Sequence, residues 1–563
     1  MKYLFMITIG PVQSFIGNSR KARDLFGGSM MLSELMQESA CWLEKQEHVN
    51  ILFPVRQQGE RFPNIPNRLI AEVKDCSEEQ LRMKAETLSK YIRQRWIETG
   101  LDLLKKVGIG EDGCCMAEAQ LEDYLEIYWL YEPCEQDYRE AYEKLFAAIH
   151  DVKNIRKFKQ TREPWGRKCA LFPEYGAIFA KRKQSAGRAI FPYNTNPRYV
   201  CDISYNPKLR YAVKENEALC AMALVKRIYG REQTAIYSVR QMMLRSRVKP
   251  EVLKRVKDPE ADYNLWDDIS DIVYDLKNEN DLTDEVYTEA AIRCAKELYQ
   301  WIEKDKIALS SYYALIKFDG DSMGEQFKCL RTSKEQQALS RHISDFAYLA
   351  PKVLLKYGGL PVYAGGEDFL GYVPLDGLFD CMKELHEHFL EMVGVTFSAG
   401  IVVAHLMQPM KEVVMLADQM EHEAKNKEGK NAFAIGILKR NGEFVDMPAC
   451  HFTAQGGEVG LDNVKTLVSL LTLSGCSKSL FFQINRELDY FVRKEVCPPQ
   501  MLVEVLLKKC VAAALLDDAK INKEQMLQEL MMLFNSSKNV RDFLSILNGI
   551  VFLSREVDGC YMN

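Results

Sequence analysis

The chain has 563 residues, 47% of them hydrophobic and 27% charged, and its 74 Lys plus Arg against 79 Asp plus Glu leave a net charge of −5. These values exclude a disordered chain, a collagen-like repeat and a globally basic protein that coats nucleic acid, and at roughly 150 residues per domain they predict about three to four domains. No run reaches the ~20 apolar residues of a membrane span. The first ten residues lack a signal-peptide pattern, so a cytoplasmic protein without membrane partners is expected. The 16 cysteines include no complete Cys-x-x-Cys pair, and buried reduced thiols are expected.

Residues 1–150 read as a small α/β unit. An apolar strand from Tyr3 to Ile9 runs into Gly10-Pro11, and a helix then carries Arg20, Arg23 and Leu25 towards Leu43. Short strands follow at Ile51–Val55 and Arg68–Val73, then an amphipathic helix from Glu78 to Ile97 and a strand from Tyr124 to Tyr131. Strand, helix, two strands, helix, strand is the order of a ferredoxin-like sheet.

Residues 151–305 predict a mainly helical insert that opens with a basic stretch. Between Lys153 and Arg188 eleven Lys or Arg face two acids, Glu163 and Glu174, with Phe158, Trp165, Phe172, Tyr175 and Phe179 interleaved. That pattern suits either unpaired nucleic acid or a solvated face.

Residues 306–445 repeat the first unit's order. A strand from Tyr312 to Phe318 ends in Asp319-Gly320-Asp321, and a helix follows near Lys334 to Lys356. Two apolar runs around Gly365-Gly366-Glu367-Asp368 then predict a hairpin. A helix (Phe379–Met392), a strand (Val395–Val403), a helix (Met410–Lys425) and a strand (Ala432–Leu438) complete the unit, and residues 446–563 predict a helical bundle. The expected fold class is α+β: two ferredoxin-like, palm-like domains separated by a mainly helical domain, with a C-terminal helical bundle.

The chemistry concentrates on two acidic turns. Asp319 ends a buried strand, Glu367 and Asp368 sit on the hairpin turn, and in a ferredoxin-like sheet the first strand lies beside that hairpin. Three carboxylates gathered there repel one another unless a hard divalent cation sits among them. Two such ions ~3.5–4 Å apart stabilise both the attacking and the leaving oxygens of a nucleotidyl transfer. Asp319, Glu367 and Asp368 are therefore the expected catalytic and metal-holding residues. Gly320, Asp321, Gly365 and Gly366 shape the turns and are expected to line the nucleotide site, and Asp321 either adds a ligand or caps its turn. Lys425 and Lys430 end a helix, where a lysine suits the dipole, and they are expected to hold the triphosphate.

These motifs resemble the GGDEF and polymerase-palm nucleotide cyclases, and the whole chain resembles the large subunit of type III CRISPR effector complexes, Cmr subtype. The matching residues are Ile9-Gly10-Pro11-Val12-Gln13-Ser14-Phe15-Ile16, Arg20, Arg23-Asp24-Leu25, Gly28-Ser29, Pro66-Asn67-Arg68, Asp319-Gly320-Asp321-Ser322-Met323-Gly324 and Gly365-Gly366-Glu367-Asp368. The resemblance implies an RNA-activated synthase in an antiviral complex, turning ATP into cyclic oligoadenylate with two Mg²⁺ or Mn²⁺ ions. The implied partners are the other Cmr subunits, a guide crRNA and a target RNA.

Three departures qualify what the resemblance implies. Glu367 stands where the family has Asp. The chain begins at the palm, and its one His-Asp doublet, His150-Asp151, has no neighbouring His, so no HD nuclease is expected. The family's zinc pairs read Cys169-Ala170-Leu171-Phe172 and Cys220-Ala221-Met222-Ala223, and two thiolates do not satisfy a tetrahedral zinc. His386 and His388, i and i+2 on a helix, face different directions and are expected at the surface. S-adenosylmethionine as acceptor of AMP, a non-catalytic scaffold and a free-standing diguanylate cyclase stay open as alternatives.

Overall fold

The computed structural model describes residues 1–56, 65–135, 137–154, 165–185, 188–209, 213, 217–232, 237–259, 262–278, 287–454, 459–472, 479–515 and 522–557. Residues 155–164 of the basic stretch, including Lys157, Lys159 and Arg162, lie outside them. The chain divides into two compact units. One holds residues 1–236, 322–348 and 362–367, and the other holds 237–321, 349–361 and 368–563.

The first unit opens with β1 (Tyr3–Gly10), α1 (Val12–Gly17), α2 (Ala22–Glu44), β2 (Val49–Phe53), β3 (Arg68–Val73), α3 (Glu78–Lys106), α4 (Glu111–Tyr124), β4 (Glu126–Pro133) and α5 (Tyr138–Asn154). Its sheet has the antiparallel order β2-β3-β1-β4, as the ferredoxin-like reading requires. A Ser77–Gln80 capping box starts α3. The helix runs past Ile97 to Lys106 and packs closely on α4, a helix the sequence reading lacks: a Cβ on Gly100 would lie 2.6 Å from Leu121 Cδ1. The insert carries small sheets the helical expectation missed. Strands β5 (Phe179–Ala180), β6 (Lys183–Ser185), β7 (Arg188–Ile190), β8 (Cys201–Asp202) and β9 (Ala218–Leu219) form a three-stranded and a two-stranded sheet, and α6 (Ala221–Glu232) follows.

The N-terminal signature belongs to this core. Phe15 packs edge-on against Trp96 at 5.4 Å and lies 5.6 Å from Tyr124 and 6.3 Å from Phe172. Phe172 and Ala223, which stand where a zinc motif would place its second cysteines, are both buried, as are Cys169 and Cys220. The two thiols hydrogen-bond to each other. That bond, against the effect of burial, draws Cys169 down to about 7, while burial pushes Cys220 up.

The second unit begins with α7 (Val239–Arg247), α8 (Pro250–Val256), α9 (Tyr263–Lys277) and α10 (Glu289–Lys304). Along the chain follow β10 (Tyr312–Gly320), α11 (Met323–Cys329), α12 (Ser333–Lys356), β11 (Leu360–Ala364), β12 (Asp368–Pro374), α13 (Leu378–Val393), β13 (Phe397–His405), α14 (Met410–Asn426), β14 (Ala432–Leu438) and β15 (Phe444–His451). The six-stranded sheet has the order β11-β12-β10-β13-β14-β15, so its first four strands repeat the order of the N-terminal sheet. It runs beyond residue 445, because β15 crosses the expected domain boundary. All nine residues of β13 and all seven of β14 are buried, as expected of strands covered on both faces. The C-terminal region is helical: α15 (Leu461–Thr472), α16 (Leu480–Lys494), α17 (Gln500–Ala514), α18 (Lys523–Ser536) and α19 (Val540–Val557). Among the described residues no helix is long and apolar enough to cross a membrane.

Candidate active site

Strand alternation fixes which side chains of β10 meet which layer. Phe318 faces α13: its ring stacks on Phe397 at 3.9 Å and Phe369 at 4.9 Å and meets Phe389 edge-on at 6.4 Å. Its neighbours Lys317 and Asp319 face α14. That helix lies close on the sheet because position 400 of β13 is glycine, where a Cβ would come within 2.3 Å of the Glu421 nitrogen. Small residues at this crossing place the last turn of α14 over the end of β10.

There Asp319 stands directly opposite Asp368, the first residue of β12. Lys425 Nζ bonds Asp319 Oδ2 and reaches Glu421 Oε1 at 2.8 Å. Glu421 Oε2 in turn takes Lys317 at 3.0 Å, and Lys317 takes Asp418 at 2.5 Å. The result is an alternating row, Asp418–Lys317–Glu421–Lys425–Asp319. Burial alone would raise the Asp319 carboxyl, but its hydrogen bond with Asp368 and the ammonium of Lys425 hold it below the usual range. Burial would lower Lys425, yet Asp319 and Glu421 hold it well above the ordinary lysine value.

Asp321 turns the other way and is buried. Its Oδ2 accepts from Thr396 Oγ1 at 2.7 Å and from the Asn431 amide at 3.0 Å, and its Oδ1 accepts from Ser398 Oγ at 2.7 Å. Asn431 Oδ1 lies 2.6 Å from His386 Nε2. His386 is buried and stacks on Phe452 at 4.2 Å, which corrects the expectation of a surface residue. His388 does face outward, towards Glu384 and Glu391. Gly429, Lys430 and Asn431 all have positive φ, at 80°, 53° and 49°. The two non-glycine members hold a conformation that L-residues seldom adopt, so the Asp321 bond to Asn431 steadies a strained turn.

The remaining predicted residues fall as follows. Gly320 ends β10 opposite Phe397 of β13. Gly365 and Gly366 form the hairpin turn, and Gly366 at φ 105° needs glycine. Glu367 belongs to the first unit, where its Oε1 lies 3.7 Å from Arg68. Arg68 is also seated on the rings of Phe53 and Phe146. The structure thus pairs Asp319 with Asp368 and gives Glu367 to Arg68. Among the described residues no group of three or more His, Cys, Asp or Glu side chains is arranged to hold a metal ion. Two facing carboxylates nevertheless suit Mg²⁺, which binds through one or two carboxylates and completes its shell with water and substrate phosphate. The ammonium on Asp319 already shows a cation held at this end of the sheet. Sequence reasoning missed Glu421, Thr396, Ser398 and Asn431; for Glu421 the i, i+4 spacing to Lys425 was an available signal.

A four-stranded antiparallel core, extended by a parallel and an antiparallel strand and carrying facing carboxylates where its first strand meets its hairpin, has the architecture of a palm-type domain. Residues 312–434 match the family model for the Cas10/Cmr2 second palm domain, and residues 4–100 match that for the N-terminal region of CRISPR-associated protein Cmr2. The CRISPR system Cmr subunit Cmr2 of Pyrococcus furiosus is 24% identical over 542 residues, an alignment covering 78% of this chain and 62% of that relative. Among solved structures, the apo state of a type III-B Cmr-beta complex matches with a TM-score of 0.67 at 12% identity, covering 98% of this chain and 82% of that one. The same complex bound to cognate target RNA matches with a TM-score of 0.60 at 14% identity, covering 98% and 83%. Two regions of the chain thus resemble the Cas10/Cmr2 family, and the chain's match spans 62% of the length of the curated Cmr2 relative.

Proposed function

We propose that this chain is a nucleotidyltransferase that makes a nucleotide second messenger from ATP, within a complex of Cmr subunits, guide crRNA and target RNA. The observation that carries the reading is the facing pair Asp319 and Asp368 with Lys425 beside it. Asp319 and Asp368 would hold Mg²⁺ or Mn²⁺, as two ions when nucleotide is present, and Glu367 is the third carboxylate of the motif. The ions, when bound, supply charge neutralisation at the triphosphate. A hydroxyl of the acceptor forms a new bond to the α-phosphorus of ATP, the bond to the β-phosphate breaks, pyrophosphate leaves and the hydroxyl proton passes to solvent. Lys425 and Lys430 offset the phosphate charge, Gly320, Gly365 and Gly366 keep the turns narrow, and Asp321 holds the Lys430–Asn431 turn in place. The resemblance to Cas10/Cmr2 palm domains implies a second ATP as acceptor and cyclic oligoadenylate as product.

Mass spectrometry of products from the reconstituted complex with target RNA, Mg²⁺ and ATP tests this reading, with and without S-adenosylmethionine. Oligoadenylate from ATP alone is expected. A product only with S-adenosylmethionine would keep the site and replace the acceptor, and silence under both conditions would favour a scaffold.

A further inference from the structure

Lys425 engages the carboxylate that the proposed function assigns to a divalent cation. Its ammonium engages Asp319 Oδ2, one of the oxygens available to a divalent ion, so lysine and metal compete for that carboxylate. A lysine can move aside because four rotatable methylenes carry its charge. What it needs is a second anchor, and the structure contains one. Glu421 lies one helical turn back, with side-chain exposure of only 11%, and bonds the same ammonium at 2.8 Å. Glu421 is itself pinned, since its other oxygen takes Lys317 at 3.0 Å and Lys317 takes Asp418 at 2.5 Å. The glycine at position 400 lets the helix carrying Glu421 and Lys425 lie directly on the sheet.

We propose that Lys425 is a resident counter-ion that neutralises the carboxylate pair before metal arrives, and that Glu421 is the positioning residue that keeps its ammonium at the site once a divalent cation takes Asp319. This rests on Asp319 as a cation ligand. Metal then binds weakly to the nucleotide-free protein, because the cation must displace the lysine. The lysine in turn becomes available to phosphate only when the metal is in place. Premature metal loading and premature triphosphate capture are both discouraged by one side chain.

Mn²⁺ binding to the full-length chain without nucleotide, followed by the electron paramagnetic resonance of free Mn²⁺, tests this directly. The variants are Lys425→Met, Glu421→Gln, the double variant and Asp319→Asn, each checked for folding by thermal melting. Asp319→Asn should lose the bound ion. Lys425→Met should bind Mn²⁺ several-fold more tightly than the natural chain, Glu421→Gln several-fold more weakly, and the double variant should match Lys425→Met. Unchanged or weaker binding by Lys425→Met, with the Asp319→Asn loss intact, overturns the counter-ion role and leaves the metal assignment standing. A further loss in the double variant relative to Lys425→Met overturns the positioning role, because Glu421 would then act on the ion through its own charge. Binding that survives Asp319→Asn removes the metal assignment and the proposal together.

Discussion

The backbone amide of Asn431 donates to Asp321 Oδ2 at 3.0 Å, so the second carboxylate of Asp319-Gly320-Asp321 holds a loop 110 residues away. Thr396 and Ser398 complete its set of donors at 2.7 Å each. Replacing Asp321 by Ala removes the acceptor of one buried and two half-buried donors, at a cost of about 2–4 kcal/mol. The melting temperature should fall by several degrees and product formation should drop with it. Asp321→Asn keeps an acceptor and should recover part of both. An unchanged melting curve for Asp321→Ala would show that the buried network contributes nothing.

Asp368 separates chemistry from folding. It lies at the exposed start of β12, opposite Asp319. Asp368→Ala is expected to abolish product formation while RNA binding and complex assembly persist, as read by product mass spectrometry beside a gel-shift and a size-exclusion profile. Turnover equal to that of the natural chain would remove Asp368 from the site.

The palm could be read from the sequence because its signals are local. An apolar strand ending in Asp-Gly-Asp and two apolar runs around Gly-Gly each define an element without outside help, and the order of elements then sets Asp319 beside Asp368. What escaped reading depends on distance or on masking. The contact of Glu367 with Arg68 joins residues 299 positions apart, so no spacing rule reveals it. The strand β15 contains Pro448, which suppresses a strand assignment, yet β15 is an edge strand, where proline is tolerated. The angular argument for His386 and His388 separates them correctly. It does not say that one of the two sides is core.

Gly27 and Gly230 let α2 and α6 touch backbone to backbone. A Cβ on Gly230 would come within 2.3 Å of the Arg23 carbonyl oxygen, and one on Gly27 within 2.7 Å of the Lys226 carbonyl oxygen. Neither obstacle is a side chain that can swing away. Gly230→Ala should therefore destabilise the first unit by about 1–3 kcal/mol, as overpacking of a tight core does. Denaturant unfolding of the full-length chain measures this; a loss within error would mean that the helices separate without penalty.

Lys226 gives the first unit a pH response whose sign is fixed. Its Nζ donates to the carbonyls of Phe15 and Asn18 at 2.5 and 2.6 Å and to Ser19 Oγ at 3.0 Å, and it faces the rings of Phe15 and Phe172, each at 5.2 Å. Burial pulls the ammonium down to about 7, against the opposing pull of Asp24. An unfolded chain keeps this lysine at the ordinary value of 10.5. Between those two values the unfolded state binds a proton that the folded state has released, so stability rises with pH across the interval. Below it both states are protonated and the dependence vanishes. Lys226→Met removes the group and should flatten the rise between neutral and mildly alkaline pH, whatever it does to absolute stability. Denaturant midpoints at several pH values across that interval, for the natural chain and the variant, provide the check. Parallel slopes would show that Lys226 stays protonated throughout, held by its three oxygen acceptors and two aromatic faces.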